Sequence, residues 1–334
     1  MVRIAINGLG RIGRCVLRAI FEEKIEGVEL VVVNGPAEIE QHVNLLQNDS
    51  IHGRCPFGIS HDEQNIIINN KKIPLTRERD IANINWANYK VDIVMECTGK
   101  FTTAEDLQRH IVQGAKKVML SSPAKSGNIK TIIHGVNNDI LTKNDRIISI
   151  GSCTTNCLAP LAKALNDAVG IEKGIMTTIH SYTGDQNLVD GSHKDPRRAR
   201  AASLSMVPTS TGAAKAIGLV LPELNGKLDG SAIRVPTPNV SVVDLTFEAS
   251  RSTTKEEVIS IIKNASENGM KNVLKVEERP LVSIDFNHTP YSSIFDAMET
   301  KVLGGNMVRV LSWYDNEWGF SCRMLDLAKF WQNL

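Results

Sequence analysis

The chain has 334 residues, enough for two domains that each bury a core. It is 42% hydrophobic and 22% charged with a net charge of +1, which gives no electrostatic footprint for nucleic acid or a membrane surface. Six cysteines, at 15, 55, 97, 153, 157 and 322, show neither the spacing of a small secreted scaffold nor a CxxC pair, so no disulfide framework and no metal site are expected.

Met1-Val2-Arg3-Ile4 leads directly into a strand, and no apolar run is long enough to span a bilayer, so a cytoplasmic protein is expected. The first half alternates β-branched runs with helical patterns. Val2 to Asn7 reads as a strand, Arg11 to Glu22 as a helix, Leu30 to Asn34 as a strand and Ile39 to Leu46 as a helix. Ile66 to Ile68 and Lys72 to Leu75 read as a hairpin around Asn69-Asn70. Val91 to Glu96, Val118 to Ser121 and Arg146 to Ile150 are further strands, with a helix over Ala104 to Gln113. Such alternation predicts an α/β domain with a doubly wound parallel sheet.

The second half reads differently. After a helix over about Leu158 to Val169, strand-like runs cover Gly174 to His180, Gly230 to Arg234, Val240 to Glu248, Leu281 to Asp285, Ser293 to Asp296, Thr300 to Leu303 and Met307 to Tyr314. Helices over Thr211 to Val220 and Lys255 to Glu267 interrupt them. Short turns between the strands predict a second, α+β domain with a mixed or antiparallel sheet. The amphipathic stretch from Gly319 to Gln332 is expected to pack back on the first domain. The predicted division is 1–151 plus 316–334, and 152–315.

Three local patterns carry chemistry. Gly8, Gly10 and Gly13 form a GxGxxG between the first strand and the first helix. Gly8 permits the tight turn, Gly10 lets a pyrophosphate approach, Gly13 lets helix and strand pack, and the amides of Arg11 and Ile12 face the phosphates. A glycine-rich turn without a ligand has the same pattern. At the end of the second strand, where a carboxylate normally binds the ribose hydroxyls, stands Gly35. A glycine does not repel a 2′-phosphate, so the motif leans toward NADP or at least tolerates it; a neutral substitution in an NAD enzyme that uses other contacts is the alternative. Cys153 stands where a strand passes into a helix, and the partial positive charge of the helix start favours its thiolate. His180 ends the next β-branched run and is a candidate base for that thiol. A buried cysteine without chemistry is the alternative.

These motifs, with ECTGKF from Glu96, SCTTNCLAP from Ser152, TTIHSYTGDQ from Thr177, VPTSTGAAKAIG from Val207, RVPTPNVSVVDL from Arg234 and WYDNEWGFSCRM from Trp313, span nearly the whole chain. Together they resemble the phosphorylating glyceraldehyde-3-phosphate dehydrogenases. The resemblance implies a Rossmann-type nucleotide domain and the reversible oxidation and phosphorylation of glyceraldehyde 3-phosphate with NADP or NAD, in glycolysis or gluconeogenesis. It implies Cys153 as nucleophile and His180 as its base. By match, Thr183 and Arg234 hold the substrate's C3 phosphate, Ser152, Thr154, Thr211 and Gly212 hold the attacking inorganic phosphate, and Arg198 lies between the two. Asn316 holds the nicotinamide carboxamide, and Arg79 and Ser121 line the cofactor groove.

Two departures bear on the cofactor. Gly35 replaces the aspartate of the NAD-using members. Gly191-Ser192 replaces their usual Leu-Pro, in a loop that reaches a neighbouring subunit's cofactor. A serine there is similar to NADP-using photosynthetic members, so NADP, alone or alongside NAD, and a homotetramer are implied. Erythrose-4-phosphate dehydrogenase is an alternative in the same class, which the segment from Val282 to His288 resembles. A cofactor-free Cys-His hydrolase of thioesterase type is an alternative in another.

Overall fold

The computed structural model describes residues 1–334, which divide into two compact units. The first comprises Met1–His134, Asn138–Ser152 and Ser321–Leu334; the second, Gly135–Asn137 and Cys153–Phe320.

The first unit begins with β1 (Val2–Asn7), α1 (Arg11–Glu22), β2 (Val28–Asn34) and α2 (Ile39–Gln47). A short ribbon of β3 (Asn48–Asp49) and β4 (Gly53–Arg54) follows, then β5 (Ile59–His61), β6 (Asn65–Ile68) and β7 (Lys71–Thr76). The unit continues through β8 (Ile93–Glu96), α3 (Ala104–Val112), β9 (Lys117–Leu120), β10 (Lys130–Thr131) and β11 (Ile147–Ser149). Its sheet runs β10-β11-β9-β8-β1-β2-β7-β6-β5. All pairs from β10 to β7 are parallel, and the β5–β6–β7 edge is antiparallel. This is the doubly wound sheet that the alternation predicts. The turn between β6 and β7 holds Asn69 and Asn70 at positive φ, as the two-residue hairpin loop requires.

Both faces of a parallel sheet must be covered. Ala5, Val32, Val94 and Trp86 are fully buried on one side, and Leu107 and Ile111 of α3 close over Val118 and Leu120. The helical stretch at the C-terminus packs here as expected: the Lys117 ammonium donates to the Trp331 carbonyl at 2.6 Å and lies over the indole.

The tips of β1, β2 and β8 are tied by a buried polar chain. Asn34 donates to Asn7 at 2.7 Å, Asn7 to the Glu96 carboxylate at 2.6 Å, and His110 Nε2 to the same carboxylate at 3.0 Å. Trp86 Nε1 donates to His110 Nδ1 at 3.0 Å, which fixes the imidazole as the neutral Nε2–H tautomer. The Thr98 amide, at 2.8 Å, gives the carboxylate a further donor. A buried charge satisfied in this way holds the strand ends that carry the glycine loop in one register.

The second unit holds α4 (Cys153–Val169), β12 (Lys173–Ser181), β13 (Val207–Ser210), α5 (Ala213–Val220), β14 (Leu228–Val235), β15 (Ser241–Glu248), α6 (Lys255–Glu267), β16 (Leu274–Glu277), β17 (Ser293–Leu303), β18 (Met307–Tyr314) and the start of α7 (Trp318–Gln332). Its sheet runs β13-β14-β12-β15-β18-β17-β16, with β12–β14 and β16–β17 parallel and the other pairs antiparallel. It is therefore mixed, as expected, with α4 packed on β17 and β18 between α5 and α6.

Four local expectations change. The run from Leu281 to Asp285 is not a strand: Ser283–Phe286 is a 3-10 turn in which the Asp285 carboxylate accepts the Val282 amide, leaving Val282 and Ile284 exposed. Ser293 to Leu303 is one strand with a register shift between Asp296 and Lys301, not two strands. Val207–Ser210 and Leu274–Glu277 are edge strands that their short sequences do not signal. Finally, α4 starts at Cys153 rather than near Leu158. Cys-Thr-Thr-Asn is poor in helix formers, but Thr154, Thr155 and Asn156 are buried, and tertiary packing overrides propensity.

Candidate functional site

Each unit carries one part of the predicted chemistry. In the first, β1 ends in Asn7 and the chain turns at Gly8, with φ +99, into α1. A Cβ at Gly8 would lie 2.8 Å from the Thr98 amide nitrogen, and one at Gly13 would lie 2.0 Å from the Gly8 carbonyl oxygen, so both close approaches demand glycine. A Cβ at Gly10 would meet nothing within 4 Å, because Gly10 faces open space. No acidic residue stands in the first turn of α1 and no side chain caps it. This is the cradle that a pyrophosphate needs: bare backbone at a helix N-terminus.

Beside it lies a cavity of about 250 Å³, lined among others by Gly8, Gly10, Asn34, Pro36, His42 and Arg79. Arg79 is exposed and has no hydrogen-bond or ion-pair partner. The residues present thus fit a dinucleotide. Three cofactor candidates are placed differently from their neighbours. The Arg11 side chain turns to buried Asp49 at 2.5 Å, leaving only its backbone for the loop. Burial pushes the Asp49 carboxyl up, but Arg11 and the amides of His52 and Ile51 outweigh it and hold the carboxyl well below its usual range. Ser121, at the end of β9, donates its amide to the Glu96 carbonyl and does not line the cavity. Ile12 sits half-buried in the first turn of α1.

In the second unit, Cys153 is the first residue of α4 and His180 the penultimate residue of β12. The sulfur lies 3.5 Å from His180 Nε2. His180 Nδ1 is 2.7 Å from the Ser181 carbonyl, which accepts only, so Nδ1 carries the proton and Nε2 presents its lone pair to the thiol. Burial lowers His180 to about 4, with Arg234 and Arg198 adding to the shift. Burial pushes Cys153 up to about 11, opposed by hydrogen bonds from Thr154 and by Arg234. The resting pair is therefore neutral thiol and neutral imidazole, aligned for proton transfer.

Arg234, near the end of β14, donates to Thr183 Oγ1 at 2.7 Å and to Gln186 Oε1 at 3.3 Å, while its buried Nε has no partner. No carboxylate pairs with it, and burial together with Arg198 makes its charge costly. Arg198 is engaged: it pairs with Asp185 and, at 3.5 Å, with Asp195, and donates to Thr209. The Thr154 hydroxyl meets the Tyr314 hydroxyl at 2.9 Å, which in turn meets Thr178 at 2.9 Å. Tyr314 also sets its ring edge-on to His180, with centroids 6.0 Å apart. Asn316 Oδ1 accepts from Ser181 at 2.9 Å and Ser241 at 3.1 Å, which leaves its NH₂ as a donor of fixed direction.

Four further candidates remain, Thr211, Gly212, Ser192 and Ser152. Thr211 accepts the Ala213 amide at 3.2 Å and Gly212 caps α5, so this segment acts as a helix cap whose hydroxyl proton remains to donate. Ser192 lies in an exposed loop, its carbonyl 3.5 Å from the Asn187 amide nitrogen. Ser152 is half-buried immediately before α4. No local pattern marks Gln186, Tyr314, Ser181 or Ser241, because each also meets a residue distant in the chain. The signal present is closeness in sequence: Ser181 follows His180, Gln186 lies three residues after Thr183 and Tyr314 two before Asn316.

Comparison with known proteins accounts for both parts. Residues 2–104 match the family model described as glyceraldehyde 3-phosphate dehydrogenase, NAD binding domain, and residues 152–316 match that described as its C-terminal domain. The chain is 56% identical to a glyceraldehyde-3-phosphate dehydrogenase of Cereibacter sphaeroides over 327 residues, covering 98% of this chain and 97% of that protein. It is 54% identical over 327 residues, with the same coverage, to the protein of that name from Xanthobacter flavus. To that from Geobacillus stearothermophilus it is 52% identical over 330 residues, covering 98% of each.

Proposed function

The chain belongs to the glyceraldehyde-3-phosphate dehydrogenase family, and from that premise we propose that it oxidises glyceraldehyde 3-phosphate and phosphorylates the product to 1,3-bisphosphoglycerate, reversibly. The observation that carries this reading is the Cys153–His180 pair at 3.5 Å beside Arg234, a half-buried cation without a carboxylate partner. A nucleophile, a base and an anion site stand together in one unit.

The Cys153 thiol passes its proton to His180 Nε2 as sulfur adds to the aldehyde carbon, and the imidazolium returns that proton to the former carbonyl oxygen, giving a neutral hemithioacetal and a free base again. His180 next removes the hydroxyl proton as hydride departs, leaving a thioester on Cys153. The bound nicotinamide supplies the hydride acceptor. Inorganic phosphate attacks the thioester carbon and the thiolate leaves, so the energy of oxidation is kept in an acyl phosphate. Arg234 and Thr183 hold the C3 phosphate of the substrate, since a guanidinium and a hydroxyl suit that dianion. The Cys153 amide, at the head of α4, meets the charge that develops on the thioester oxygen. Ser152, Thr154, Thr211 and Gly212 take the attacking phosphate, with Arg198 released from its carboxylates to serve between the two anions. Asn316 directs its amide at the carboxamide of the nicotinamide.

The cofactor is NADP, preferred or shared with NAD; the absent carboxylate at Gly35 and the unpartnered Arg79 support this. The protein assembles as a homotetramer, in which Ser192 reaches a neighbour's cofactor. Exposed Leu188, Val189, Leu204 and Met206 on the same stretch of chain support burial against another copy. No helix is long and apolar enough to cross a membrane, and a cytoplasmic site of action accords with the free cysteines. A hydrolase without cofactor leaves the glycine loop unexplained. Cys153→Ser tests the chemistry: cofactor reduction falls below detection while nucleotide binding by calorimetry is retained. Substantial remaining turnover contradicts the covalent route.

A further inference from the structure

The cavity beside the glycine loop contains a polar group that the chemistry above does not use. His42, on the second turn of α2, is 5% exposed and lines that cavity, and neither of its ring nitrogens has a hydrogen-bond partner. An imidazole buried with both nitrogens unmatched is destabilising unless a ligand, an ion or a water supplies the partner. The ring covers the Cα of Gly35: a Cβ built there would lie 2.6 Å from His42 Nε2 and 2.8 Å from Cε1. The glycine and the histidine are therefore a matched pair. The strand end where a carboxylate would bind ribose hydroxyls holds no side chain of its own, because an imidazole from the next helix occupies that space.

We propose that His42 is the residue that reads the 2′ position of the adenosine ribose, its imidazole hydrogen-bonding the 2′-phosphate of NADP at the place where a carboxylate would bind a 2′-hydroxyl. The proposal rests on the NADP reading given above and assigns it to a residue. The ring already lines the cavity, and binding relieves the unmatched donor. The surrounding charge suits an anion. Arg14 on α1, and Arg77 and Arg79 on the segment after β7, stand on one side of the balance; Glu38, which pairs with Arg77, and Glu78, which receives Asn83 at 3.3 Å, stand on the other. Arg79 alone among these cations has no partner. Burial holds the free imidazole below its ordinary value; the Gly35 backbone opposes it more strongly than either Arg14 or Arg77 assists it, and the net shift is downward. A bound phosphate dianion favours the imidazolium, so binding takes up a proton.

Isothermal titration of the whole protein with adenosine 2′,5′-bisphosphate and with 5′-AMP tests this without turnover. His42→Leu is expected to weaken the bisphosphate roughly ten- to a hundred-fold, the range of a charge-assisted hydrogen bond, and to leave 5′-AMP within about twofold. His42→Gln keeps a donor and a similar volume, and carries the test if the leucine variant does not fold. It is expected to lose the bisphosphate in part and to lose the proton uptake, so that the ratio of wild-type to variant affinity falls as pH rises from 6 to 8. In the wild type, the ring signal that His42→Gln removes from the NMR spectrum should titrate at higher pH with the bisphosphate bound. Equal weakening of both nucleotides overturns the assignment, as does bisphosphate binding untouched by either variant; the latter leaves the NADP reading standing. Failure of the wild-type protein to bind the bisphosphate overturns that reading and the proposal together.

Discussion

Arg234 shows how one side chain can be held in readiness for a ligand. Thr183 and Gln186 hold its guanidinium, its Nε is buried without a partner, and no carboxylate neutralises it. An uncompensated, partly desolvated cation is costly unless an anion arrives. Arg234→Ala should therefore raise KM for glyceraldehyde 3-phosphate by roughly ten- to a hundred-fold, the range of charge-assisted hydrogen bonds, and leave KM for unphosphorylated glyceraldehyde nearly unchanged. Equal changes for both aldehydes would remove Arg234 from phosphate binding. At this scale, sequence discloses residues whose chemistry depends on chain position. Cys153 and His180 are legible because each stands close to a β-branched run that the sequence marks, Cys153 shortly after Arg146 to Ile150 and His180 at the end of Gly174 to His180. Gln186, Tyr314 and His42 are not, since their roles arise from meeting residues on other elements. Gly35 is legible only by half: the missing carboxylate shows in the sequence, but the imidazole filling its place does not.

Among the elements, helices are positioned by their ends. Thr103 caps α3 reciprocally with Asp106: its hydroxyl accepts the Asp106 amide at 3.2 Å, and the Asp106 carboxylate accepts the Thr103 amide at 3.3 Å. The cap orients α3 so that Leu107, His110 and Ile111 are buried, and His110 completes the polar chain to Glu96. Thr103→Ala should cost about 1 kcal/mol of unfolding free energy, measured as a lower urea midpoint at constant m. An unchanged midpoint would mean that packing alone fixes the helix. The extents of α1 and α6 are legible in the sequence, and both fall where periodicity puts them. The start of α4 and the turn at Ser283–Phe286 are not, for opposite reasons. Tertiary burial extends a helix over Cys-Thr-Thr-Asn, while a side-chain hydrogen bond at Asp285 takes an alternating run out of any sheet.

For the whole molecule, two sheets of different kind divide the work. The parallel sheet of the first unit presents bare backbone at its C-terminal edge, where helix N-termini gather and a dinucleotide is bound. The mixed sheet of the second unit brings Cys153, His180, Thr183 and Arg234 together from α4, β12, the loop after it and β14, with β12 and β14 adjacent and parallel so that His180 stands opposite Arg234 in register. That register is what the sequence cannot show, since it follows from a crossover rather than from a local pattern. Aldehyde oxidation is coupled to phosphate through a thioester on Cys153. The most direct test is the initial rate of NADP and NAD reduction with glyceraldehyde 3-phosphate, with and without inorganic phosphate. The expected result is sustained turnover only with phosphate, with kcat/KM for NADP at least equal to that for NAD. Reduction that continues undiminished without phosphate, or none with either nucleotide, would contradict it.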